Sequence, residues 1–353
     1  MKKFLALLLA LGMSLSLAAC GGSDTGSETS GDGEESGFEE QTWKFTCSAT
    51  ENTPWADMGR DFGDMVSEAT GGAVTVEVYA ADQLTAGNQT EGIQGVMDGT
   101  IELSAHSNII YSNFDQRLNV VSMPFLFDSY DDVDAKLDGA AGEAVGEVVE
   151  DLGLHLLGIA ENGFRHPTNS KHPIASLADM KGLKIRVQES PASIKMANAF
   201  GAAASPMSFG EVYTAIQQGV IDGAENNELA LTNNKHGEVA KYYSYNRHQM
   251  VPDVLVGNLK FLNSLSDDEM KVFKEAAALS TEVEREEWSK QVEQAKKIAQ
   301  EDMGVTFVDV DVQPFKEAVK DVQKEMLADN PDIKDLYEHI QTFNAKYEGK
   351  GDD

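Results

Sequence analysis

The stretch "GLKIRVQESPAS", residues 182–193, decides how this chain is read. Leu183, Ile185 and Val187 alternate with Lys184 and Arg186, the period-two pattern of a strand with one apolar face. Ser190 and Pro191 then offer an N-cap and a first helical position. A strand followed at once by a helix is the unit of an α/β layer. It puts Arg186 near the C-terminal edge of its strand, where open α/β sheets gather ligands. A guanidinium stays charged, and burying it unpaired costs several kcal/mol, so an anion is expected beside it. The residues alone leave two sources for that anion: a ligand carboxylate, which the planar fork grips bidentately, or a protein acid such as Glu189 or Glu225.

The same alternation runs outward from this stretch. "WKFTCSA" reads as a strand and "WADMGRDFGDMVSEA" as a helix. After Gly71 and Gly72, "AVTVEVYA" places Val74, Val76 and Val78 at period two. "GIQGVMDGT" then reads as helix, and "IELSAHS" and "GLHLLGIAENG" as strands, with short joins marked by Gly and Pro. Ser208 lies three residues before Glu211, and Ser266 three before Glu269, the spacing of capping boxes that open helices. The second box begins a run, residues 267–303, without proline or glycine, and Gly304 supplies a stop. At ~1.5 Å per residue that run spans on the order of 50 Å. Such a length predicts a helix that braces two lobes, as in a hinged binder.

The chain has 353 residues, of which 41% are hydrophobic, enough apolar material for two lobes. Residues 1–20 carry Lys2 and Lys3, a short apolar run and then Cys20, the layout of a secretion signal rather than of a membrane span. Its end, "LAAC", resembles the lipobox of bacterial lipoproteins, in which the cysteine is acylated and becomes the mature N-terminus. Residues 21–40, rich in Gly, Ser and acid, are expected to form a flexible tether. Loss of Lys2 and Lys3 with the signal leaves 26 Lys and Arg against 59 Asp and Glu, moving the formal charge from −31 to −33. Nucleic acid is excluded as a partner by that balance. The other cysteine, Cys47, is expected to be a small core residue without a disulfide partner.

Sequence support for catalysis is missing. The seven histidines form no H-E-x-x-H or other compact ligand spacing. There is no G-x-S-x-G elbow, no phosphate loop and no dinucleotide fingerprint. The expectation is a binding protein without catalytic residues, metal or cofactor.

The block "GLKIRVQES…GAAASPMSFGEVYTAIQQGVIDGAENN" resembles the signature of TRAP-transporter solute-binding proteins of the DctP type. "TGGAVTVEVYAADQL", "VVSMPFLFDS", "GLHLLGIAENGFRHP", "EVAKYYSYNRHQMVPD" and "FVDVDVQPF" resemble further blocks of that family, in its order, from about Trp43 to the C-terminus. The resemblance implies an α/β, two-lobed, periplasmic-binding-protein-like (type II) fold with a cleft between the lobes. The expected lobes are residues 41–164 with 252–292, and residues 165–251 with 293–347.

By the same resemblance, Arg186 takes the salt bridge to a ligand carboxylate, and Arg165 matches a second arginine lining the site. Phe209 falls at an aromatic wall, with a core role as the alternative. Asn226 falls at an amide that bonds the ligand, with a turn as the alternative. Glu189 stands where it can accept from a ligand hydroxyl or amine, or neutralise Arg165 or Arg186. Trp55, His106 and Asn108 complete the implied ligand-binding set. The implied partners are a small organic acid and the small and large subunits of an ion-gradient-driven membrane permease, with the protein held outside the cytoplasmic membrane by lipid at Cys20. An ABC-type binding lipoprotein, a secreted enzyme acting on organic acids and a sensory module are the other readings.

Overall fold

The computed structural model describes residues 38–51, 53–160, 162–329 and 331–344. The secretion signal with Cys20, almost all of the tether, and the last three residues of the second expected lobe, 345–347, lie outside them.

Twelve strands are described: β1 Gln41–Cys47, β2 Val74–Tyr79, β3 Leu103–Ser107, β4 Leu154–Ala160, β5 Phe164–Asn169, β6 Lys184–Val187, β7 Ala203–Pro206, β8 Gly223–Asn226, β9 Tyr242–Tyr245, β10 Gln249–Met250, β11 Asp253–Asn258 and β12 Thr306–Asp309. They form two sheets, one ordered β2-β1-β3-β11-β4 and the other β12-β9-β5-β8-β6-β7, with β10 added alongside β5. This is the two-lobed α/β architecture that the sequence led us to expect.

Parallel pairing of β1 with β2 and β3 requires a crossover each time. The helix α1, Pro54–Ala69, supplies the first. Thr53 caps it through Oγ1 to the Ala56 N–H, and its apolar stripe of Trp55, Met58, Phe62 and Val66 packs into the core shared with Trp43 and Phe45. Cys47 is buried in this core, where burial, with Asp82 nearby, pushes its thiol up to about 12, so it is an inert packing residue.

In the second sheet β6 pairs in parallel with β7 and β8. Leu183 and Ile185 bury their side chains in one apolar cluster with Met196, Phe200 and Phe315. The helix α2, Pro191–Ala199, starts where expected with proline in its first turn, but Ser190 makes no side-chain cap bond. The two predicted capping boxes both form. The carboxylate of Glu211 accepts from the Ser208 N–H and Oγ, and that of Glu269 from the Ser266 N–H and Oγ.

The chain passes between the sheets at three places. One is the step from β4 to β5, where Gly163 takes a left-handed φ of 61° and its α-carbon lies against Trp288, so that a Cβ there would meet the indole at 2.6 Å. Only glycine accommodates both demands. The second is the step from β10, paired with β5, to β11, paired with β3 and β4. The third is α3, Asp267–Glu301, about 52 Å long at ~1.5 Å per residue. Val272, Phe273, Trp288 and Val292 of α3 belong to the first sheet's core, whereas Ala299 packs with Tyr243 of β9. The helix therefore touches both lobes before Gly304, at φ 68°, ends it and β12 joins the second sheet.

Candidate functional site

The topology brings the ligand-gathering edges of the two sheets together. In the second sheet, Arg186 is the third of the four residues of β6 and Asn226 the last of β8, and these strands are parallel. The β5 strand runs antiparallel to β8, with His166 opposite Asn226, so Arg165 stands at that same edge. In the first sheet, the end of β3 meets the start of β11, with Ser107 opposite Asp253. Between these edges lies a narrow cavity of about 40 Å³. That is room for a few waters, so a larger ligand enters only if the two walls part.

The two arginines differ in what they are bonded to. Arg165 is committed to the protein: Nε and Nη2 donate to the Glu225 carboxylate, Nη2 donates to the Glu225 carbonyl at 2.8 Å, and Nη1 to Asn226 Oδ1 at 3.1 Å. Burial alone raises the Glu225 carboxyl, but the Arg165 charge, with His248 at 3.4 Å, overrides it and holds Glu225 down at about 2.

Arg186 is only 2% exposed, yet it makes no ion pair among the described residues. Nε donates to the Met207 carbonyl at 3.0 Å and the guanidinium lies 5.6 Å from the centre of the Phe209 ring. Burial pulls this guanidinium down to about 10, with Glu225 partly offsetting it. It remains charged at neutral pH. Of the two sources of counter-charge that the sequence left open, a ligand or a protein acid, the second is not seen: neither Glu189 nor Glu225 forms an ion pair with it.

Five of the eight residues expected at a ligand site line this cavity: Arg186, Arg165, Asn226, Phe209 and Trp55. Asn226 Oδ1 accepts from Arg165 and from the Asn227 N–H at 2.9 Å, which fixes the amide and leaves Nδ2 without a bond among the described residues. Trp55 packs its ring 5.3 Å from that of Trp288 on α3.

The other three do not line it. His106 is fully buried, with Nε2 2.6 Å from Asp82 Oδ1. Asn108 is spent on the protein, its Nδ2 donating to the Leu118 carbonyl and its Oδ1 accepting from Ser122 Oγ, both at 2.8 Å. Glu189 turns its side chain to solvent, and its backbone carbonyl accepts from Asn113 Nδ2.

Several lining residues were not anticipated. Asp253 is the one carboxylate among the described lining residues, joined by Ser107, Asn162, Gln89, Gln188 and Asn234. Gln89 and Gln188 each keep a buried Oε1 without a protein donor. Ser107 and Gln188 are each one position from an expected site residue, Ser107 from His106 and Asn108, and Gln188 from Glu189. Among the described residues no group of three or more His, Cys, Asp or Glu is placed to hold a metal.

A model of the family described as bacterial extracellular solute-binding protein, family 7, matches residues 45–330. A TRAP periplasmic solute-binding protein from Anaerococcus prevotii, solved with bound D-glucuronate, is 36% identical with a TM-score of 0.83, covering 88% of this chain and 100% of its own. One from a Sulfitobacter species, solved with bound β-D-galacturonate, is 32% identical with a TM-score of 0.83, covering 86% of this chain and 100% of its own. The C4-dicarboxylate-binding periplasmic protein DctP of Rhodobacter capsulatus is 30% identical over 68% of this chain and 71% of its own length.

Proposed function

The chain belongs to family 7 of the bacterial extracellular solute-binding proteins, the substrate-capturing component of TRAP transporters, and from that premise we propose that it delivers a hydroxylated organic acid of the uronate class to a membrane permease. The family is a binding component of transport and not a catalyst. The observation that carries the ligand reading is Arg186, a buried cation facing the cavity that makes no ion pair with a protein carboxylate among the described residues. A ligand carboxylate supplies the missing charge. The amide-rich lining and the rings of Trp55 and Phe209 suit a sugar's hydroxyls and its apolar face. Glucuronate and galacturonate, the ligands in the two solved relatives, fit that description.

A C4-dicarboxylate, named for the Rhodobacter relative, fits less well. A second carboxylate asks for a second cation, and Arg165 already spends its charge on Glu225. In the proposed action, ligand binding draws the lobes together about the steps at Gly163 and at Val251–Pro252. Closure removes water, which strengthens the Arg186 ion pair, and contacts made only in the closed form shift the population towards it. The small and large permease subunits then read the closed form and move the acid on an ion gradient.

Calorimetry with glucuronate and galacturonate tests the anchor. Arg186→Ala is expected to weaken binding by about 2 to 5 kcal/mol, the effect of removing one member of a desolvated charge pair. Undiminished affinity in a folded Arg186→Ala protein rejects the assignment.

The "LAAC" sequence supports acylation of Cys20, which would hold the mature chain at the outer face of the cytoplasmic membrane with residues 21–40 as its tether. Cys20→Ser is expected to move the protein from the membrane fraction to the soluble one. Retention of that variant in the membrane fraction counts against the anchor.

A further inference from the structure

We propose that Asp253 is the specificity-determining residue of this cleft, accepting a ligand hydroxyl on Oδ2 and thereby selecting hydroxylated monoacids over dicarboxylates. This deepens the uronate reading and rests on it.

Asp253 stands on the wall contributed by the first sheet, whereas Arg186 stands on that of the second. Its surroundings fix which oxygen is spoken for. Ser107 Oγ donates to Oδ1 at 2.7 Å and Asn162 Nδ2 donates to the same atom at 2.9 Å. The direction of that second bond is set from further back. The Leu229 N–H donates to Asn227 Oδ1, and Asn227 Nδ2 donates to Asn162 Oδ1 at 2.8 Å, so Asn162 can present only its Nδ2 to Asp253. Both donors that reach Asp253, from Ser107 and Asn162, end on its Oδ1. The other oxygen, Oδ2, makes no hydrogen bond among the described residues, although the residue is only 4% exposed.

A carboxylate held in such a place calls for a donor. Burial pushes Asp253 up to about 6, only partly offset by the Ser107 bond, which agrees with an acid short of partners. It makes no ion pair with either arginine among the described residues, and Arg165 and His106 offset the effect of burial only in part. A hydroxyl of a sugar acid donates a hydrogen bond to Oδ2. The far carboxylate of a dicarboxylate brings instead a like charge and no donor, and the second cation among the described lining residues, Arg165, is already bonded to Glu225. Discrimination of this kind comes from a repulsive contact as much as from an attractive one.

Asp253→Asn is the sharp test, because the amide keeps its oxygen under Ser107 and Asn162 and replaces only the Oδ2 acceptor with a donor. Calorimetry is run on the natural chain and on D253N with glucuronate, galacturonate, succinate and adipate, the last a six-carbon diacid without hydroxyls. The natural chain is expected to bind a uronate about 100-fold or more tightly than adipate, and D253N to lose about 10- to 100-fold on the uronate while its preference over the diacids narrows. Uronate affinity within about threefold of natural in a folded D253N, with the preference intact, overturns the role of Asp253 and leaves the uronate reading standing. A natural chain that binds diacids and no uronate overturns both. Should D253N fail to fold, the natural chain decides: uronate and adipate bound equally well overturn the inference, and a large uronate preference supports it.

Discussion

Two buried acids, Asp253 on the cleft wall and Glu225 behind Arg165, respond to pH in opposite directions, and each can be read through the stability of the fold. Glu225 is held at about 2 against an ordinary 4.5, because Arg165 overrides the effect of burial. Folding therefore favours its ionised form; the stability it contributes is whole above about 4.5 and is lost as pH falls towards 2. Asp253, raised by burial to about 6 from 3.8, is the reverse: folding favours its protonated form, and that contribution is present below 3.8 and lost as pH rises through 6. Glu225→Gln is expected to destabilise the protein by about 3 to 5 kcal/mol at pH 7, since it strands the Arg165 charge, and to flatten the loss of stability between pH 4.5 and 2. Urea unfolding of both proteins across pH 2 to 7 measures this, and an acid limb of unchanged steepness in the variant refutes it. At this scale the sequence was legible where a residue's chemistry is unusual for its place, as with Arg186. It was less so where parity decides. His106 and Asn108 flank Ser107: along the strand His106 points to the opposite face, and Asn108 already opens the next short helix. Ser107 takes the cleft, and the two beside it turn into the protein. Glu189 beside Gln188 repeats that one-residue displacement. Asp253 was hidden for another reason: an aspartate after proline at a strand start carries no local mark of the relay that aims it.

Among the elements, the strongest sequence signals were those with a local physical cause. The capping boxes at Ser208 and Ser266 formed because both partners lie within four residues of each other, so no tertiary contact is needed to set them. The long helix was legible for the same reason: a stretch free of proline and glycine between a box and Gly304 has nothing to interrupt it. Its role in joining the lobes rests on spacing that only the fold reveals, since Phe273 and Trp288 serve one core and Ala299 another. The helix at Pro191 began on time without its expected cap bond, because proline at the first position presets φ whether or not Ser190 takes part. Pairing order was not legible. The insertion of β11, from late in the chain, between β3 and β4 is a long-range pairing that no window of residues contains, and it is this pairing that delivers Asp253 to Ser107.

The molecule as a whole carries a formal charge of −31, yet it is proposed to take up an anion. Two ranges of electrostatics separate these facts. Exposed acids act on an approaching ligand through solvent, over a screening length of about 30 Å at ~0.01 M salt and about 8 Å at ~0.15 M. Arg186 acts only at contact, inside a cleft where salt scarcely reaches. The first range governs association and the second dissociation. Raising salt from ~0.01 to ~0.15 M is therefore expected to speed uronate association by several-fold while leaving dissociation nearly unchanged, so that affinity improves with salt. That is the opposite of the usual weakening of an ion pair. Trp55, which lines the cavity against Trp288, offers an intrinsic fluorescence signal for stopped-flow measurement of both rates. An association rate that falls as salt is added would mean that the local positive field at Arg186 and Arg165 reaches past the cleft and outweighs the acidic surface, and the separation of ranges argued here would be wrong.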